Sequence, residues 1–253
     1  DNIIKMLDTI NLPIDEITTE ILRNYLADYK SNSKAGMVTI DNIRRTLSSF
    51  FTWLENEDYI VKSPVRRIHK VKTTRRVKET FTDENLEKLR DTCSNVRDLA
   101  ILELLISTDM RVGEITRLNI SDMNFQERSC IVLGKGNSER EVYFSAKSKM
   151  YIKKYLKMRT DNNEALFVSL IKPYNRLGIS GIENLIRNLG KEANINKVHP
   201  HKFRRMMATM AIDNGMPIEQ VQKLLGHIKI DTTMEYAMVN QNNVKNSHRK
   251  YIT

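Results

Sequence analysis

Four short stretches of this chain combine residue types that handle phosphate: Arg111-Val112-Gly113-Glu114, His201-Lys202-Phe203-Arg204, Leu224-Leu225-Gly226-His227 and a lone Tyr236. His201 and Arg204 fall at i and i+3 of what reads as an opening helix, so an imidazole and a guanidinium project from one face and can grip a single anion. Arg205, at i+4, is equally within reach, and spacing alone leaves both arginines open. The third stretch closes a helix. Pro217 stands at its start, Gly226 just past its end, and Ile218, Val221, Leu224 and Leu225 mark one buried stripe, so His227 sits on a fixed terminus. Thr232-Thr233-Met234-Glu235 has the form of a capping box, which predicts Tyr236 in the first turn of a new helix, where backbone N–H groups favour a phosphate. A phenol held there can attack phosphorus.

These groups need elements to carry them. Residues 99–106 are an almost unbroken apolar run and read as a core helix, followed by a turn at Thr108-Asp109-Met110 that presents Arg111 at the start of a second helix. Residues 122–125, 129–133 and 139–144 read as three short strands, with Gly134-Lys135-Gly136-Asn137 as the second turn and Lys135 a mobile cation at its tip. Near the N-terminus, Thr18-Thr19-Glu20 opens a helix with Ile21, Leu22, Tyr25, Leu26 and Tyr29 on one face. Residues 39–57 place Ile40, Ile43, Leu47, Phe50, Phe51 and Leu54 at helical spacing. The expected fold class is mainly α with a small β-sheet (α+β).

Arg-x-Gly-Glu, a lysine in a β-turn, His-x-x-Arg, Leu-Gly-His and a tyrosine occur here in the order that is the signature of the tyrosine recombinase (phage integrase) family, and the chain resembles that family, as a mobile-element integrase or a Xer-like enzyme. The resemblance implies a helical core-binding domain over residues 1–72, a basic linker over 73–80 and a catalytic domain over 81–253, the two domains forming a clamp around DNA. It also implies the chemistry. Tyr236 is the nucleophile and forms a 3′-phosphotyrosyl link; Arg111 and Arg204 neutralise the phosphorane; Lys135 protonates the leaving 5′-oxygen; His201 assists Tyr236 as general base; His227 donates to a non-bridging oxygen; Glu114 orients a neighbour. The family pattern selects Arg204 over Arg205. No metal or other cofactor is expected, since arginines and a lysine supply the positive charge. The implied partners are double-stranded DNA and further copies of the chain, as a tetramer on paired recombination sites. The segment 242–253 resembles the family's C-terminal element that docks on a neighbouring protomer. Met206 departs from the pattern, where a small hydroxyl residue is usual. A type IB topoisomerase using nearly the same chemistry, or a DNA-binding protein without catalysis, are the alternative readings.

Composition is consistent with two small domains in 253 residues and with a polyanionic partner, the formal net charge being +10. Residues 62–78 carry eight Lys/Arg and no Asp/Glu, read as a connector, and supply most of the candidate DNA contacts: Arg66, Arg67, Lys70, Lys72, Arg75 and Arg76, with Arg44 and Arg45 on the longer N-terminal helix. Trp53 reads as a core or domain-edge aromatic rather than a base-stacking platform. His199-Pro200-His201 has no cysteine or carboxylate cluster beside it, so His199 reads as structural rather than as a metal ligand. Cys93 and Cys130 show no paired spacing, which fits the reducing cytoplasm of a prokaryotic cell. No apolar run approaches the roughly 20 residues that cross a bilayer, so no membrane association is expected. The chain begins Asp1-Asn2-Ile3 rather than with Met, so a further N-terminal segment is expected.

Overall fold

A computed structural model describes residues 2–71, 80–134, 139–226, 230–234 and 236, and divides the chain into two compact units, Asp1–Arg76 and Val77–Thr253. The first unit is helical: α1 (Asn2–Ile10), α2 (Thr19–Ser33) and α3 (Met37–Asn56). Thr18 caps α2 by accepting from the Ile21 N–H. Helix α3 begins two residues before the expected Thr39, because Gly36 takes the capping position. Met6, Leu22, Leu26, Ile43, Leu47 and Phe51 close the core that these helices share.

The basic stretch after α3 differs from the expected connector. Its first half is folded into this unit: Pro64–Arg67 forms a 3₁₀ turn with Val65 buried, and Ile68 and Val71 pack on the same core. Polar contacts tie it down. Thr19 Oγ1 donates to the Pro64 carbonyl (2.6 Å), Arg23 to the Arg67 carbonyl (2.9 Å), and the Val71 N–H donates to Asp41 Oδ1 (3.2 Å). Apolar residues at 65, 68 and 71 recur at a short helical spacing that the surrounding charge obscures.

The second unit is mixed. It contains α4 (Asp83–Asp91), α5 (Val96–Ser107), the one-turn α6 (Val112–Ile115), strands β1 (Met123–Asn124), β2 (Ser129–Leu133) and β3 (Glu139–Tyr143), then α7 (Ala146–Met158), α8 (Ile179–Glu192), α9 (Pro200–Asp213), α10 (Ile218–Leu225) and α11 (Ile230–Met234). The sheet is antiparallel in the order β1-β2-β3, and its register pairs Leu133 with Glu139 across the hairpin. Helix α5, capped by Asn95, is buried on nearly every face and packs against α7, α8 and α9. Its most deeply buried charge, Glu103, is matched by Arg90 at 2.5 Å and Lys147 at 3.5 Å, as a carboxylate at that depth requires. No helix among the described residues is long and apolar enough to cross a membrane.

Candidate active site

The apolar run of α5 ends at Ser107, and the chain turns through buried Thr108 and Asp109 into α6. Arg111 stands at the N-cap of α6, and Glu114, three residues on, serves it twice. The Arg111 backbone N–H donates to Glu114 Oε2 at 2.7 Å, and Arg111 Nη1 donates to Oε1 at 3.0 Å. The carboxylate thus closes the first turn of a helix whose N-cap side chain has no acceptor to offer, and aims the guanidinium in the same step. The Arg111 side chain remains 39% exposed.

Arg204 lies at the opposite extreme, only 3% exposed. It points inward from α9 and donates to two carbonyls, those of Asp109 and Leu225, with Asp109 Oδ2 3.7 Å from its Nη1. Leu225 is the last residue of α10, so Arg204 satisfies a helix C-terminal carbonyl that has no intrahelical partner, where the helix dipole also favours a cation. Burial, reinforced by the nearby positive charge of Arg111, pushes the Arg204 guanidinium down to about 10. Arg205 is half-buried on another face of α9. His201 is exposed on the first turn of that helix, behind Pro200 at its start; His199 holds the N-cap and is exposed too. Met206 fills the core beside Phe203. Among the described residues no His/Cys/Asp/Glu cluster could hold a metal ion.

Helix α10 ends as its residues predict, with Gly226 in the left-handed region at φ +59°. Two requirements meet there, because a Cβ at Gly226 would also lie 3.1 Å from Arg140 Cδ. The expected stripe is narrower than four residues: Val221 and Leu225 are fully buried, whereas Ile218 and Leu224 are half-covered.

The expected position of Tyr236 is corrected. Helix α11 spans Ile230–Met234, and Tyr236 follows its end, its N–H donating to the Thr233 carbonyl at 2.9 Å. Thr232 therefore lies inside the helix and does not cap a new one. Tertiary packing outweighed the local signal, since Thr233 is completely buried in a helix laid against α10. The tyrosine is half-buried against Ala208, Val221 and Leu225, together with Met207, Ala211, Ile212 and Met216.

Two residues that motif spacing did not single out occupy the centre of the site. Arg140, on β3, donates to both oxygens of Glu114 at 2.8 Å, to Asp109 Oδ2 at 3.3 Å and to the Leu224 carbonyl at 3.0 Å. The signal was present in the strand alternation: Arg140 and Val142 share the inward face of β3, and a charge at such a position demands partners. Asp109 is the other. Burial raises its carboxyl above the usual range, against the pull of Arg140 and Arg204, whereas for Glu114 the bonds from Arg140 and Arg111 overcome burial and hold it below.

The structure therefore brings Arg111, Glu114 and Arg204 together, and Leu225 links Arg204 to the cluster holding Tyr236. Lys135, His227 and the segment 242–253 lie outside the described residues, as do Lys72, Arg75 and Arg76. In the first unit, Arg44 is bound to Asp41 at 2.9 Å and Arg66 to Glu55 at 2.9 Å, while Arg45, Arg67 and Lys70 are exposed. Trp53 is half-exposed between Phe50 and Tyr59, an edge aromatic.

Comparison with known proteins converges on one family. Residues 79–243 match the model of the phage integrase family. The tyrosine recombinase XerC of Pediococcus pentosaceus is 29% identical over 256 residues, covering 95% of this chain and 83% of the relative, and XerC of Oceanobacillus iheyensis is 31% identical over 217 residues, covering 81% and 71%. The Tn1549 transposon integrase, solved in complex with a circular intermediate DNA, shares the fold at a TM-score of 0.78 and 16% identity, over 97% of this chain and 91% of that one. By these matches the chain belongs to the phage integrase family of tyrosine recombinases.

Proposed function

We propose that Tyr236 attacks a DNA phosphodiester to form a 3′-phosphotyrosyl intermediate, with Arg111 and Arg204 neutralising the charge that develops on the non-bridging oxygens. The family membership makes this chain a tyrosine-type site-specific DNA recombinase. The supporting observation for the residue roles is the pair of nearby guanidiniums of opposite exposure, Arg111 open to a ligand and Arg204 buried, each bonded to carboxylate or carbonyl partners. Donors oriented before reaction stabilise a transition state without reorganising, and guanidinium forks match paired phosphate oxygens. Lys135 protonates the leaving 5′-oxygen, His201 assists Tyr236, and His227 donates to the phosphate; the bond energy stored in the covalent link lets a 5′-hydroxyl reseal the strand. Four strands are exchanged in one joint, so four copies, each with one Tyr236, assemble on paired sites, with residues 242–253 docking between protomers.

The test is a nicked duplex carrying a site selected by this protein from a random-sequence pool. The wild type forms a covalent adduct on a denaturing gel, and Tyr236→Phe forms none while keeping its DNA affinity, because one hydroxyl carries little binding area. Adduct formation by Tyr236→Phe moves the nucleophile elsewhere. Lys135→Ala regains cleavage on a 5′-bridging phosphorothiolate, whose sulfur leaves without a proton; equal defects on both substrates assign Lys135 to binding instead.

A further inference from the structure

Arg140 bonds directly to two of the motif-bearing segments, at Glu114 and at Leu224, and to Asp109, which stands beside the third. Of its five N–H donors, four bonds are directed: two to Glu114, one to Asp109 and one to the Leu224 carbonyl. Through Glu114 it reaches Arg111, through Asp109 it reaches Arg204, and through Leu224 it holds the end of α10 immediately before Gly226-His227. The side chain is 10% exposed and springs from a strand position paired with Val132, so its base is fixed by the sheet. It reaches α10 through the gap left by the missing side chain of Gly226.

Charge adds to geometry. Arg111, Arg140 and Arg204 surround two carboxylates, Asp109 and Glu114, leaving one net positive charge in a largely buried cluster. With a neutral residue at 140 the same cluster carries none, and both carboxylates draw on Arg111 and Arg204 alone. We infer that Arg140 is a positioning residue of the recombinase site: it holds Arg111, Arg204 and the end of α10 in one frame and supplies the counter-charge that keeps the Arg111–Arg204 pair net positive toward a phosphate. The inference rests on the assignment of those two arginines to the phosphate.

Single-turnover adduct formation on the selected nicked duplex tests it, alongside DNA affinity and thermal melting of each full-length variant. Arg140→Gln slows adduct formation by about 10- to 100-fold, as loss of an orienting partner does, with DNA affinity little changed. Arg140→Lys falls between, since an ammonium keeps the charge but cannot span three acceptors as a fork. The double variant Arg140→Gln/Glu114→Gln restores the net charge of the cluster and cleaves faster than Arg140→Gln alone. A purely structural role gives the opposite, because the second change removes further hydrogen bonds. A double variant slower than Arg140→Gln, a wild-type rate for Arg140→Gln, or loss of cooperative melting in both single variants overturns the inference. If the wild type forms no adduct, the reading of the site falls and the role of Arg140 falls with it; if wild type and Tyr236→Phe behave as expected and Arg140→Gln is unimpaired, only Arg140 is misassigned.

Discussion

The two units of this chain use arginine in different ways. In the first, each structured pair is one-to-one: Arg44 with Asp41, largely buried, and Arg66 with Glu55, where the arginine is exposed. Asp41, held below the usual carboxylate range by its bond from Arg44, also accepts the Val71 N–H, so the pair fastens a basic segment to α3. In the second unit, three arginines share two buried carboxylates and three carbonyls, and each of the two carboxylates serves two arginines. Surface pairs contribute little and yield to salt, whereas a buried network can hold guanidiniums in a fixed orientation. The first arrangement is neutral and fastens its own unit, whereas the second keeps one net positive charge beside Arg111, which suits chemistry on one phosphate.

The largest expected effect sharpens that contrast. Arg111→Ala and Arg204→Ala each slow single-turnover cleavage on the order of 100- to 1,000-fold, about 3 kcal/mol of transition-state stabilisation for each donor removed. Arg205→Ala, on another face of α9, has a much smaller effect; if it proves the more damaging change, the assignment on α9 is off by one. Next, replacing exposed Arg45 or Lys70 by Ala weakens binding of the selected duplex and lowers the salt dependence by roughly one unit of slope for each phosphate no longer neutralised, without slowing cleavage at saturating protein. A slope unchanged in both variants would remove these residues from the DNA interface.

A smaller effect concerns acid stability. Glu114 is held below its ordinary value of 4.5, so its carboxylate contributes stability that is present above that value and lost as the pH falls through the lowered one. Melting temperatures taken from pH 5 downward should therefore fall more steeply for the wild type than for Glu114→Gln, and parallel curves would mean the bridges to Arg111 and Arg140 carry no net stability. Asp109 has the opposite sign: its raised carboxyl costs stability as the pH climbs from 3.8 toward the folded value. The smallest effect is at the thiols. Burial pushes Cys93 and Cys130 up to about 12, which leaves roughly one thiolate in ten thousand at pH 8, so iodoacetamide should label them only after denaturant is added. Rapid labelling of the folded protein would show that this region opens.

Much of the fold was legible because its signals are local. Helix α5 is announced by an apolar run, α10 by Pro217 and Gly226, and the hairpin by two short strands around a Gly-Lys-Gly-Asn turn. Tyr236 shows where local signals fail. Thr232 to Glu235 has capping-box spacing, but Thr232 and Thr233 lie within α11, which buries Thr233 against α10, and a cap worth about 1 kcal/mol does not outweigh that packing. The folded half of the basic stretch was hidden for a related reason: Val65 is one apolar residue among charges, and only the groove between α2 and α3 makes it a core residue.

The sequence by itself determined the family and the order of its motifs, because a tyrosine, cations and imidazoles stand at spacings that helices and turns can present. Which cations cooperate was decided by tertiary structure. Arg140 and Asp109 belong to no spacing rule; they meet because β3, the loop after α5 and the end of α10 converge, and a buried charge in that junction must find opposite charge and open carbonyls. Arg204 and Arg205 are adjacent in sequence, yet one is buried against Asp109 and Leu225 and the other is half-buried on another face, a distinction of about 100° around α9 that exists only once α9 is packed against its neighbours.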